Sequence, residues 1–118
     1  TKRTLMSNEL LIKTMENGGY HQNLPKDWVE QNVRNFDKMK LEPFIVCYRD
    51  GKYYIVNDVI TKVILDKIYN DNPYPAECYV CNVDSYRDEV ELFVALKEYE
   101  RNLIMNKAKN ILKEMQNE

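Results

Sequence analysis

The chain has 118 residues, 44% hydrophobic and 31% charged, with three glycines and four prolines, which is the profile of one globular domain and not of a disordered segment. Nineteen acids against seventeen bases leave a net charge of −2, which excludes a protein built mainly to coat nucleic acid by counterion release. No apolar run approaches the roughly 20 residues that span a bilayer, residues 1–20 lack a signal-peptide core, and three cysteines are an odd count for a disulfide framework, so a cytoplasmic protein with reduced thiols and no membrane contact is expected.

The chain opens on Thr1, as it would after removal of a leading segment or tag. Leu5, Met6, Leu10, Leu11, Ile12 and Met15 recur at near-helical spacing around Ser7, a helix-capping residue type, so a first helix is expected over Leu5–Met15, stopped by Asn17-Gly18-Gly19. Tyr20–Leu24 reads as extended. Pro25 suits the first turn of a helix, and Trp28, Val29, Val33 and Phe36 give Lys26–Phe36 its buried stripe. Phe44–Tyr48 and Lys52–Val56 are β-rich runs joined by Arg49-Asp50-Gly51, and Asp-Gly at such a junction signals a hairpin. Asn57-Asp58 is suited to cap a helix over Val59–Tyr69, and the turn-rich Asn70–Pro75 leads to a strand over Ala76–Val83. Ser85 then opens a helical pattern that runs to about Gln116, with Asp88 and Glu89 in its first turn, where the helix dipole favours acids. That helix is longer than a domain of this size needs for its own core, so its distal half is expected to pack on a partner. Glu100, Lys107 and Glu114 interrupt strict heptad order, which argues against a long coiled coil. The whole, residues 1–118, reads as a single α+β domain ending in a long helix over residues 85–117.

The element order and the run from Pro43 through the hairpin to Val56 resemble the ParB N-terminal domain-like superfamily, which includes sulfiredoxin and the ParB-like nuclease domains. The likeness is to its small phage and mobile-element members in particular. Tyr20-His21-Gln22-Asn23-Leu24, Val29–Asp37, Ala76-Glu77-Cys78-Tyr79-Val80 and Glu89-Val90-Glu91-Leu92-Phe93 fit the same pattern, so the resemblance covers roughly residues 18–102. It implies a small α+β fold with a phosphate pocket at the helix after the hairpin, where a Gly-x-His-Arg turn supplies amides and an arginine to the anion. Here that turn reads Asn57-Asp58-Val59-Ile60-Thr61-Lys62: Asp58 stands at the glycine, the histidine and arginine are replaced, and Gln22 stands where an upstream arginine is found. What the resemblance implies is therefore a pseudoenzyme with no cofactor, its nucleotide, kinase or sulfinic-acid reductase chemistry lost.

Lys62, with Thr61, is the one residual phosphate candidate, weighed against an ordinary solvated lysine. Cys78 and Cys81 have C-x-x-C spacing, with Cys47 and His21 as further conceivable ligands, but residues i and i+3 of a strand face opposite ways, so no metal site is expected. His21 is the only histidine and has no neighbouring nucleophile. Nine tyrosines favour an interaction surface, with Tyr48, Arg49, Lys52, Tyr53 and Tyr74 as its candidate residues. The expected function is a non-catalytic module that binds protein, either itself through the long helix or a host factor. An acidic protein of this kind would suit an inhibitor of a host nuclease or defence complex. Nucleic-acid binding through Lys38, Lys40, Arg49, Lys52, Lys62 and Lys67 is the alternative, and a residual nucleotide enzyme the last.

Overall fold

The computed structural model describes residues 2–12, 25–37 and 40–117. These form a five-stranded mixed sheet with three α-helices. Strands β1 (Lys2–Met6) and β2 (Leu10–Leu11) precede helix α1 (Lys26–Arg34). Strands β3 (Phe44–Arg49) and β4 (Lys52–Ile55), helix α2 (Val59–Ile68), strand β5 (Pro75–Asn82) and helix α3 (Tyr86–Gln116) follow. The sheet order is β1-β5-β3-β4-β2, with β3 central, parallel to β5 and antiparallel to β4.

The first expected helix is corrected. Between residues 2 and 12 the chain forms β1, a 3-10 turn over Ser7–Glu9, and β2. Ser7 is not a helix cap: its N–H donates to the Tyr74 carbonyl (2.8 Å) and its Oγ accepts from the Tyr74 N–H (2.9 Å). Leu5 pairs opposite Ala76 on β5 and Leu10 beside Tyr53 on β4, so both leucines enter one core from different strands. Long-range pairing overrides the local apolar spacing. The remainder of that expected helix, the glycines that would stop it and the Tyr20–Leu24 segment lie outside the described residues.

The hairpin forms as read. Arg49 pairs with Lys52, and both turn residues have positive φ, 52° at Asp50 and 77° at Gly51, the mirror-image turn whose twist matches the flanking strands. Helix α1 ends at Arg34, two residues short of Phe36, which still packs on the core.

Alternation divides the sheet into two faces. Phe44, Val46, Ile55, Ala76 and Cys78 join Leu5 and Leu10 on one, and α2 covers it with Val59 and Leu65. Cys47, Arg49, Tyr54 and Cys81 lie on the other, with Cys47 in register beside both Tyr54 and Cys81. The start of α3 lies against this second face.

Ser85 caps α3, its Oγ accepting from the Asp88 N–H at 3.2 Å. Tyr86, Glu89, Val90, Phe93, Leu96 and Glu100 are at least half-buried, at the three-to-four spacing of one helical face, whereas every residue from Arg101 to Asn117 is exposed. The molecule is accordingly elongated, 54 × 37 × 29 Å, with a radius of gyration of 16.6 Å; a compact chain of this length would have about 13–14 Å. No helix of the described residues is long and apolar enough to cross a membrane.

Candidate functional site

Three places carry residues that the sequence singles out. The first is a cleft of about 430 Å³ at the N-terminus of α2, lined by Asp58 and Thr61 with Phe36, Asp37, Lys40 and Glu42 from the preceding segments. Asp58 has φ 57° and ψ 38°, the left-handed conformation that favours glycine. A carboxylate therefore stands at a backbone position whose shape suits glycine. Asp58 makes no side-chain cap; the Asn57 Oδ1 accepts from the Asp58 N–H at 3.0 Å instead. Partial burial pushes the Asp58 carboxyl above its ordinary range, Glu100 and Glu42 push it further, and Lys97 opposes them. Among the described residues that line the cleft, Asp37, Glu42 and Asp58 stand with one base, Lys40, an acidic balance that disfavours a phosphate.

Lys62 is not in this cleft. It is 5% exposed, and its Nζ lies 2.7 Å from both carboxylate oxygens of Asp66. The Tyr74 hydroxyl donates to the same Asp66 (2.9 Å), and the ammonium stands 5.9 Å from the Tyr74 ring centroid. Successive helical residues are about 100° apart, which turns Thr61 to the cleft and Lys62 to this internal ion pair. Gln22 lies outside the described residues.

The second place is the hairpin. Tyr48 and Lys52 are exposed, and the Tyr48 ring meets that of Tyr53 at 4.8 Å. The Tyr53 hydroxyl accepts from Arg3 Nη1 at 3.3 Å. Tyr74 does not join this surface: it is buried, stacked on Tyr69 (4.5 Å) and held by Asp66 and Ser7. Nor does Arg49, whose side chain is 11% exposed. Its Nη1 lies 3.2 Å from Asp50 Oδ2 and its Nε 3.6 Å from Glu89 Oε1. Its guanidinium sits over the rings of Tyr54 (4.9 Å) and Tyr86 (5.5 Å). Arg49 and Lys62 therefore drop out of the expected basic surface, Lys40 faces the acidic cleft, and Lys38 lies outside the described residues.

Glu89 is the residue that sequence reasoning misses. It is fully buried, whereas Asp88 beside it is exposed and only its backbone is capped. The available signal was its place in the stripe Tyr86, Glu89, Val90, Phe93. With Tyr86 and Glu89 on α3, Tyr54 on β4 and Arg49 on β3, the cluster clamps the start of α3 to the sheet.

Cys78 lies in the core on the first face, and Cys81 lies on the second beside Cys47, so the C-x-x-C pair diverges. Burial, helped by Glu89 and Cys81 and opposed by Arg49, pushes the Cys47 thiol up to about 12; burial alone pushes Cys78 to about 11. Among the described residues no three His, Cys, Asp or Glu side chains are placed to hold a metal ion, and His21 lies outside them.

The third place is the free half of α3. Leu103, Ile104, Met105, Ile111, Leu112 and Met115 are each about half-exposed or more, Ile104 reaching 68%. These side chains leave the free half of α3 with an uncovered apolar surface.

No family model matches the chain, and no curated protein matches it. Among solved structures it is similar to sulfiredoxin from Arabidopsis thaliana, with a TM-score of 0.53 and 14% identity over 80% of this chain and 97% of that one. The likeness shows the fold: a five-stranded mixed sheet, helices on its faces and a long C-terminal helix in a sulfiredoxin-like arrangement.

Proposed function

We propose that the chain is a non-catalytic binding module of sulfiredoxin-like fold that engages protein through the free half of α3 and takes no nucleotide at α2. The observation that carries this reading is the exposure of every residue from Arg101 to Asn117, among them six large apolar side chains. Holding such a surface in water is unfavourable at roughly 25 cal/mol per Å² of apolar area, so covering it is the strongest driving force the molecule has left for association. The acidic cleft supports the other half of the reading, because the position that would hold a phosphate carries the Asp58 carboxylate and lacks the Lys62 ammonium.

Two measurements test it. Calorimetric titration with ATP, ADP and CTP is expected to give no heat of binding. Association, either with itself in sedimentation or with a captured protein, is expected in the full chain and lost on Ile104→Ser/Ile111→Ser, two exposed positions whose replacement leaves the core intact. Saturable nucleotide binding, or association indifferent to the double substitution, overturns the reading. Capture of nucleic acid whose affinity falls steeply with salt would do so as well, pointing to Arg101, Lys107, Lys109 and Lys113.

A further inference from the structure

We infer that the partner of the free half of α3 is the same segment of a second copy, packed antiparallel about a two-fold axis between Lys109 and Asn110. The inference rests on reading α3 as a protein-binding element and names what it binds. Ile104, Ala108, Ile111 and Met115 follow a four-three-four spacing, which is a coiled-coil seam two heptads long. Met105 and Leu112 flank one side of that seam and Lys107 and Glu114 the other, and all are exposed. The residues that interrupt a long heptad repeat are therefore flank positions of a short one.

Such a seam is self-complementary in one orientation. Antiparallel about the stated axis, Ile104 meets Met115 of the second copy and Ala108 meets its Ile111, each layer twice by symmetry. Small against large fills the centre without a gap. On one flank Met105 then meets Leu112. On the other Lys107 meets Glu114, an opposite-charge pair formed twice. A parallel, in-register pair would instead set Ala108 against Ala108, leaving a void, and aim Lys107 at Leu112 with no charge partner. The length fits too. This axis overlaps residues 102–117 of both copies, about 24 Å at 1.5 Å per residue, and the whole overlap lies beyond Glu100, the last half-buried residue of α3, so the pairing stays clear of each copy's own sheet.

Sedimentation equilibrium and light scattering of the full chain test this by charge reversal. The expected result is a concentration-dependent equilibrium between the 14.1 kDa chain and a dimer of twice that mass. Lys107→Glu alone and Glu114→Lys alone each put like charges face to face and are expected to weaken dimerisation by about tenfold; the double substitution restores the pairs and the wild-type constant. Both positions are exposed, and circular dichroism checks that each variant keeps its helix content. A strict monomer at all concentrations overturns the inference, as does a dimer that neither single reversal weakens or that the double reversal fails to restore. A monomer that still captures a different protein, lost on Ile104→Ser/Ile111→Ser, overturns the self-pairing while leaving the binding-module reading in place.

Discussion

Removing one member of the Arg49–Glu89 pair tests whether the clamp on α3 is a buried ion pair in energy as well as in geometry. Glu89 is fully buried and the Arg49 side chain 11% exposed, so neither charge falls back on water when its partner is lost. Breaking such a pair from one side costs about 3–5 kcal/mol. Glu89→Gln belongs near the lower figure, because Arg49 keeps Asp50 at 3.2 Å and the faces of Tyr54 and Tyr86. Arg49→Met belongs near the upper, because it takes the guanidinium away from a carboxylate with no solvent exposure. Either loss is a large share of the roughly 5–15 kcal/mol that holds a domain of this kind together. The paired replacement Arg49→Met/Glu89→Leu removes both charges at once and is expected within about 1 kcal/mol of the parent, on either side of it. Urea unfolding followed by circular dichroism measures all four proteins, with the slope held constant as the check that one transition is being compared. Single variants that cost less than about 1 kcal/mol, or a double variant that costs the sum of the singles, would refute the clamp.

Three further outcomes follow from the same geometry. Asp58→Asn keeps a side chain tolerant of left-handed backbone and removes a carboxyl whose folded-state pKa is raised by burial, Glu100 and Glu42. A raised acid holds its proton more tightly when folded, so the parent loses stability as pH rises through that range. The variant should be the more stable at neutral pH, by under about 1 kcal/mol at this solvated position, and the gain should vanish below the ordinary carboxyl range in thermal melts; a less stable variant at neutral pH would count against this. Tyr74→Phe deletes the hydroxyl that donates to Asp66 at 2.9 Å while keeping the stack on Tyr69, and is expected to cost about 1–2 kcal/mol in urea unfolding. With thiols at about 12 and about 11, Cys47 and Cys78 should resist alkylation at mildly alkaline pH until the chain unfolds, whereas half-buried Cys81 reacts first; mass mapping of the modified peptides reads the order.

The parts of the fold legible in the sequence are those fixed by neighbouring residues. Asp50-Gly51 determines the hairpin because its two positive φ angles are a local requirement, and α2, β5 and α3 begin and end within a residue or two of their turn and cap signals. The first segment was not legible, because Leu5 and Leu10 suit a helical stripe as well as they suit two strands. What decides between these is Ser7 bonding to Tyr74, 67 residues away. The candidate site divides along the same line. That α2 opens directly after Asn57-Asp58 could be read from those two residues, since a helix start is a local property. Which way a side chain points could not be read from adjacent pairs. Thr61 faces the acidic cleft and Lys62 the buried Asp66; Asp88 faces solvent and Glu89 lies under α3 against Arg49. In each pair two neighbours of similar polarity are about 100° apart on a helix, and only the packing of that helix assigns one of them to the interior.

The clamp also bears on how α3 can serve as a binding surface. Glu89 and Tyr86 lie in its first turn, and the last half-buried residue is Glu100, so the fixed end and the free end belong to one unbroken 31-residue helix. Nothing in Tyr86–Gln116 is glycine or proline, so the free half inherits the direction set at Arg49 and does not sample it through a hinge. A surface held rigid in this way loses little conformational freedom when it is covered. Loosening the clamp should therefore weaken association through α3 even though Arg49 and Glu89 lie more than ten residues from the Ile104–Met115 seam. Sedimentation of Arg49→Met/Glu89→Leu carries that argument to measurement: its fold should be as stable as the parent's and its dimer weaker, and a dimer of unchanged strength would mean that α3 is oriented by the Phe93 and Leu96 contacts alone.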